Sequence, residues 1–302
     1  VGEPAEAAVS AASIDPGSGS DAGTITVLGS GTSMGVPTLG CRCRTCTSLD
    51  PRDNRLRPSI AISWGFPLDA NSQPAHRVVI DTGPEFRVQA LRADIRCLDA
   101  VFYTHAHADH TLGLDDLRPL SFVRKKKLPL YADDATATIL ERIFEYTFSP
   151  ASTYPNRARV ALHRIAGDQV VEVAGVGFRR IPLLHGRLSI SGYRFGSAAY
   201  LTDMSSVPES SLSLLEGLDV LILDALRHEY HPAHANVDEA LGWVERIAPR
   251  RAFFTHMSHE LHHEDTERML PAHVRLLYDG MQIPFSLGAS SVAGSTCSQG
   301  AG

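Results

Sequence analysis

The sequence predicts a mixed α/β protein of two sheets with helices outside them, and three observations predict it. Short apolar runs stopped by polar or glycine-bearing turns recur along the chain. Amphipathic helical stretches follow them in each half. Of the 302 residues, 43% are hydrophobic and 21% charged, the balance of a chain with a packed core and a solvated surface. Two successive halves of strands followed by helices fit a four-layer α/β arrangement, although the pattern by itself establishes only the mixed class.

The elements follow in order. Thr24–Leu28 reads as a strand ending in Gly29-Ser-Gly31. Thr32–Pro58 reads as loop, with scattered Gly and Pro, three Cys and an arginine-rich stretch unsuited to burial. Strands are expected at Ser59–Trp64, Arg77–Ile80 and Ala100–Tyr103, and helices at Glu85–Ala93 and Ala135–Tyr146, where Ile139, Ile143 and Tyr146 share a face. In the second half, strands are expected at Gln169–Val173, Gly177–Leu184, Ser189–Phe195, Ala198–Leu201, Val220–Leu223 and Ala252–Phe254. Pro208–Leu215 and Val237–Ile247 carry helical patterns. One domain is expected over 23–288. The Ala-, Gly- and Ser-rich start, 1–22, reads as a flexible tail rather than a signal peptide, and 289–302 as a second tail.

The net charge of -6 supplies no basic field for holding a polyanion. A small anionic substrate stays compatible with it, because bound metal adds charge that a residue count omits. No apolar run reaches the roughly 18–20 residues of a membrane helix. Cys41, Cys43 and Cys46 lie too close together for all to pair as disulfides, and the spacing reads as a metal site in a reducing, cytoplasmic setting. Cys97 and Cys297 stand alone, read as a buried small residue and a tail residue.

Fourteen histidines are the unusual count, and the densest run is Phe102-Tyr-Thr-His-Ala-His-Ala-Asp-His110. An apolar strand delivers its end into His105, His107, Asp109 and His110. Such side chains need partners when buried, and imidazole with carboxylate suits zinc, manganese or iron.

His-x-His-x-Asp-His after a strand resembles the signature of the metallo-β-lactamase superfamily, which implies a four-layer αβ/βα sandwich with its site along one edge. The resemblance implies one metal on His105 and His107 and a second on Asp109 and His110. Asp109 also counts as a candidate catalytic group. Val79-Ile-Asp-Thr-Gly83 resembles the family's Asp-x-Gly step, whose aspartate, here Asp81, orients a ligand histidine. Pro182-Leu-Leu-His185, Tyr200-Leu-Thr-Asp203 and Phe254-Thr-His256 resemble the segments giving the remaining ligands, with Asp203 bridging both metals.

Cys41-x-Cys43-x-x-Cys46, with His259 three residues past His256, resembles the PhnP-type cyclic phosphodiesterases, in which such a set holds a structural zinc. His234 in His231-Pro-Ala-His234-Ala-Asn236 matches the histidine of that branch that meets substrate as a general acid, with His228, His231 and Asn236 close by. The resemblance implies two catalytic divalent metals (Mn, Zn or Fe) and one structural Zn. It also implies hydrolysis of a small, cyclic phosphodiester such as a phosphoribosyl 1,2-cyclic phosphate by a metal-bridging hydroxide. A homodimer is expected by family analogy alone.

Two other readings compete. A tRNase Z-like endoribonuclease shares the ligands, but no protruding basic arm is present, and Arg124-Lys-Lys-Lys127 reads as a solvated turn, so nucleic acid is not the expected partner. A zinc-stapled scaffold without turnover needs no bridging carboxylate.

Overall fold

The computed structural model describes residues 21–65 and 73–288. The chain forms β1 (Ala22–Gly29), β2 (Ser59–Trp64) and β3 (His76–Ile80), then α1 (Phe86–Arg92) and β4 (Ala100–Phe102). Short helices α2 (Ala108–Thr111) and α3 (Arg118–Phe122) lead to β5 (Leu128–Asp133), α4 (Asp134–Ile143), α5 (Glu145–Phe148) and β6 (Val160–Ile165). The second half runs β7 (Val170–Val173), β8 (Val176–His185), β9 (Leu188–Phe195), β10 (Ala198–Leu201), α6 (Glu209–Leu212), β11 (Val220–Asp224), α7 (Val237–Ile247), β12 (Arg251–Thr255), α8 (His263–Glu267), β13 (Val274–Leu276) and β14 (Gln282–Ser286).

These strands make two seven-stranded sheets, ordered β14-β1-β2-β3-β4-β5-β6 and β13-β12-β11-β10-β9-β8-β7. Alternate residues of the first sheet divide between two cores. Ile60, Ile62, Val78, Ile80 and Phe102 face the second sheet, while Ala61, Val79 and Val101 face the layer of α1 and α4. Both faces are covered, so the strands read as continuous apolar runs. This is the αβ/βα sandwich.

Each sheet changes from antiparallel to parallel pairing partway across. β3, β4, β5 and β6 are parallel neighbours, as are β10, β11, β12 and β13. Parallel register brings carboxyl ends together: Ile80 stands opposite Phe102, and Leu201, Leu223 and Phe254 stand side by side. The segments leaving those ends carry Asp81, His105, Asp203, Asp224 and His256, so the architecture gathers them at one rim.

Several expectations need correcting. β5 and β6 emerge where no strand is predicted, as do α8, β13 and β14 near the end. In α4 the buried positions are Thr136, Ala137 and Leu140, with Phe144 just beyond, whereas Ile143 and Tyr146 are exposed. Asp133 sets that phase by accepting from the Thr136 amide at 2.8 Å as N-cap. Ala22 opens β1, and Asp21 in the turn before it is tied down by its carbonyl, which accepts from the Leu287 amide, so neither is a free tail; the remaining predicted tails lie outside the described residues, as does Cys297. Cys97 is half-buried rather than buried. Lys125, Lys126 and Lys127 are exposed in a turn, as expected, whereas Arg124 of the same run is half-buried and donates through Nη1 to the Leu98 carbonyl.

Candidate metal centre

Three residues of the rim leave their strands with a backbone that side chains rarely adopt. Asp81, Asp203 and His256 have φ of 65°, 59° and 59°. Each costs roughly 1–2 kcal/mol relative to an ordinary conformation, and such strain gathers where geometry is over-determined by function. Gly83 serves the same end, since a Cβ there would stand 2.1 Å from the Asp109 carbonyl oxygen. The Asp-x-Gly step is thus a close backbone approach between the turn after β3 and the start of α2.

The second sheet fixes the chain that enters the cluster. The Tyr193 hydroxyl donates to the Tyr103 carbonyl (2.7 Å), and the Ser191 amide to the Thr104 carbonyl (2.9 Å), immediately before His105. Beyond that point the predicted ligands converge. His105, His107 and His185 form one group and Asp109, His110, Asp203 and His256 another, each with ligand atoms within 4.8 Å of one another. Asp203 touches both: its Oδ1 is 3.2 Å from His110 Nε2, and its Oδ2 is 3.1 Å from His256 Nε2 and 3.8 Å from His105 Nε2.

Hydrogen bonds behind the cluster choose which nitrogen each ring presents. Asp81 Oδ2 holds His110 Nδ1 at 2.7 Å, and is itself held by the Thr104 hydroxyl at 2.8 Å. His185 Nδ1 bonds the Ala233 carbonyl at 2.7 Å. Both rings therefore aim Nε2 inward.

Protonation follows from the same packing. Burial disfavours charge on His110 and His256, yet the carboxylates of Asp203 and Asp109 outweigh it, raising His110 well above the usual imidazole range and His256 to about 9. Burial also works against Asp203 and Asp109, but the adjacent His110 holds both carboxyls well below their ordinary range. Burial pushes His105, His107 and His185 down, toward the neutral imidazole that ligates metal.

The donor set fits divalent metal on independent grounds. Asp109 Oδ2, His110 Nε2 and His256 Nε2 are buried without a hydrogen-bond partner, although they face one another. Each such orphan costs about 1–3 kcal/mol, and a cation of the zinc, manganese or iron type would satisfy them together.

A third group lies alongside, made of Cys41, Cys43, Cys46 and His259, again within 4.8 Å. His259 Nδ1 is 3.3 Å from both Cys41 Sγ and Cys43 Sγ. A bond from the Cys46 backbone, helped by His259, lowers Cys43 to about 6, whereas burial lifts Cys46 to about 11. The set suits zinc. Beneath it the loop's arginine content is not all solvated: Arg55 is buried, which corrects the expectation drawn from composition.

His234 lies beside the cluster, with a ring nitrogen within 4.8 Å of ligand atoms of His185 and Asp203. Sequence reasoning missed its partner. Asp224, fully buried at the end of β11, bonds His234 Nδ1 through Oδ2 at 2.6 Å. The signal was present, since Val220-Leu-Ile-Leu-Asp224 is an apolar run ending in aspartate like those before Asp81 and Asp203. The other polar residues of the motif separate. His231 lies against His234 with ring centroids 5.0 Å apart and the rings tilted by 49°, His228 lines a pocket beside Cys43, and Asn236 caps α7 in a capping box with Glu239.

Fold and site together define a metal-dependent hydrolase of the metallo-β-lactamase sandwich. The beta-lactamase superfamily domain model matches residues 76–257. A crystal structure described as a new diphosphatase from the PhnP family is 48% identical with a TM-score of 0.80, covering 88% of this chain and 98% of that one. The chain therefore belongs to the beta-lactamase superfamily, and within it to the PhnP family. Human tRNase Z, short form, shares the fold at 19% identity and a TM-score of 0.60, over 86% of this chain and 98% of that one. A protein named octanoyltransferase from Porphyromonas gingivalis (strain ATCC BAA-308 / W83) is 37% identical over 259 residues, 85% of this chain and 50% of that protein. The chain thus spans about half the length of this curated relative.

Proposed function

We propose that the protein hydrolyses a small phosphodiester, a cyclic sugar phosphate foremost, at a binuclear metal site. The observation that carries this reading is Asp203, whose Oδ1 and Oδ2 face His110 and His256 of the Asp/His group while Oδ2 also lies 3.8 Å from His105 of the three-histidine group. A carboxylate so placed would be available to two cations at once. His105, His107 and His185 would hold one ion, and Asp109, His110 and His256 the other, with Asp203 shared; manganese, zinc and iron all suit these donors. When bound, the pair supplies Lewis acidity toward the phosphoryl oxygens and activates water near neutral pH. The cysteine group with His259 would hold a structural zinc, closed to substrate by its fourth ligand.

The rest is the work of the chain's own groups. Asp81 and the Ala233 carbonyl keep His110 and His185 turned inward. Burial raises the Asp224 carboxyl well above its usual range and drives His234 down to about 3. A neutral His234 accepting at Nδ1 from protonated Asp224 carries its own proton on Nε2; as Nε2 gives that proton to the leaving oxygen, the Asp224 proton passes to Nδ1, so the ring stays neutral and Asp224 is left as the carboxylate. Proton transfer from such a positioned group typically contributes about 10²–10⁴-fold.

The 48%-identical relative, described as a diphosphatase, favours a second reading, cleavage of a diphosphate. No acyl transfer is proposed, because the name octanoyltransferase belongs to a protein of which this chain matches half, and the cysteines here are grouped with His259. The test is to give manganese-loaded protein a ribose 1,2-cyclic phosphate, a sugar diphosphate and a precursor transfer RNA in parallel. Opening of the cyclic diester supports the first reading, phosphate release from the diphosphate the second. Cleavage of the RNA alone overturns both.

A further inference from the structure

Arg55 is an arginine with 1% of its surface exposed, inside a loop that has almost no regular structure. Its Nε donates to the Arg52 carbonyl (3.3 Å), Nη1 to the Ser258 carbonyl (2.9 Å), and Nη2 to the Leu261 carbonyl (2.7 Å) and Asp53 Oδ1 (3.2 Å). The same Asp53 oxygen accepts from the His263 amide at 2.9 Å. The buried pair therefore clasps the chain reversal from Ser258 to His263 at both ends. That reversal begins two residues after His256 and carries His259, the partner of Cys41 and Cys43.

On its other side, the Arg55 backbone pairs with Val36 through bonds of 2.8 and 2.9 Å, in the loop that leads to the cysteines. Gly31 makes room for this, since a Cβ there would come within 2.8 Å of Arg55 Cβ. Gly31 in turn bridges to Met257, the residue after His256. One guanidinium thus sits where the cysteine loop, the first strand's exit and the His256–His259 segment meet.

A buried ion pair is weak grounds for stability, because desolvation offsets most of the attraction. Residues 257–262 form neither helix nor a sheet strand, so no ladder orients their carbonyls. The planar fork of arginine does that with separate nitrogens, which an apolar side chain or a single ammonium cannot reproduce. Burial lowers Arg55 to about 10, which leaves it charged at neutral pH.

We propose that Arg55, fixed by Asp53, is a positioning residue that couples the cysteine–histidine group to the His256-bearing group, so that metal held at the first sets the geometry of the second. The inference rests on the reading that both groups hold metal.

The test uses the full chain as wild type, Arg55→Met, Arg55→Lys, Cys41→Ser and, as control, Arg77→Met. Arg77 is also buried, but bonds Ser63 and the Asp94 carbonyl at the opposite end of β3. Zinc affinity is read by competition with a chromophoric chelator, cysteine-site geometry by thiolate-to-cobalt absorption, occupancy by metal analysis, and folding by melting temperature. Arg55→Met is expected to weaken zinc at the cysteines about 10–100-fold, shift the cobalt bands and lower occupancy of the His256 group. Arg77→Met should lower the melting temperature without either change. Cys41→Ser should reduce occupancy at the His256 group as well. Should Arg55→Met not fold, Arg55→Lys is expected to shift the cobalt bands in a folded protein. Wild-type affinity and spectrum in a folded Arg55 variant, or full His-group occupancy in Cys41→Ser, overturns the coupling. Failure of the wild type to take metal at the cysteines removes the metal reading itself, and the coupling with it.

Discussion

Asp224 Oδ2 lies 2.6 Å from His234 Nδ1, while Asp224 Oδ1 stands 3.8 Å from His256 Nδ1 without a hydrogen-bond partner. One buried carboxylate thus backs both the proposed proton donor and a proposed ligand. The contact gives His234 a fixed tautomer, and fixed tautomers are what separate a catalytic imidazole from a surface one.

His234→Ala is therefore expected to slow hydrolysis of an alkyl-leaving-group phosphodiester about 10²–10⁴-fold, and to affect a p-nitrophenyl ester far less, because that leaving group needs no proton. Steady-state rates on the matched pair of esters check it. Equal losses on both would remove the proton-donor role.

Asp224→Asn should keep the shape of the site but hand His234 an amide that cannot supply a proton in the same way. A loss of about 10–100-fold on the poor leaving group is expected, with metal content near wild type. If metal analysis instead shows an emptied site, Asp224 acts through His256 rather than through His234.

The positions of these rim residues were legible because each follows a largely apolar strand: Ile80 before Asp81, Tyr103 and Thr104 before His105, and Thr255 before His256. A strand that ends in a ligating side chain writes its chemistry and its geometry into adjacent letters. What failed to show were contacts made across the chain. β6 is an edge strand with exposed His163 and Arg164, so its alternation is broken. β5 follows a basic turn and holds Pro129. The face of α4 was misjudged because Thr136 and Ala137 are buried while larger Ile143 is not. Arg55 reads as solvated until Ser258 and Leu261, some two hundred residues on, are seen to surround it.

Asp81 offers a separation of fold from function. Its φ of 65° disfavours most side chains but is tolerated by asparagine. Asp81→Asn should consequently melt within a few degrees of wild type, while the loosened His110 costs about 10–100-fold in metal affinity or rate. Asp81→Ala, which meets the backbone strain without local hydrogen bonding, should melt lower than Asp81→Asn. Differential scanning calorimetry with parallel metal titration distinguishes the two; identical melting of both variants would show that the left-handed backbone carries no cost.

Chelation should change how stability depends on pH. In the metal-free protein Asp203 and Asp109 raise His256 from 6.5 to about 9. A histidine raised on folding contributes stability that is complete below pH 6.5 and lost as pH climbs through about 9. Asp203, lowered from 3.8, contributes above that value and loses its contribution as pH falls below it. As far as Asp203 and His256 are concerned, the chelated protein should therefore be most favoured between pH 3.8 and 6.5, and the His256 contribution should fall away toward pH 9; His105, His107 and His185, lowered by burial, act the other way below pH 6.5. Loaded protein should behave in the opposite sense over the upper range, because metal competes with the same protons and binds more tightly as they leave. Calorimetric metal titration at neutral pH, in two buffers of different ionisation enthalpy, should accordingly show net proton release. Parallel melting curves with and without chelator from pH 6.5 to 9, together with no proton release, would mean that His256 is not a ligand.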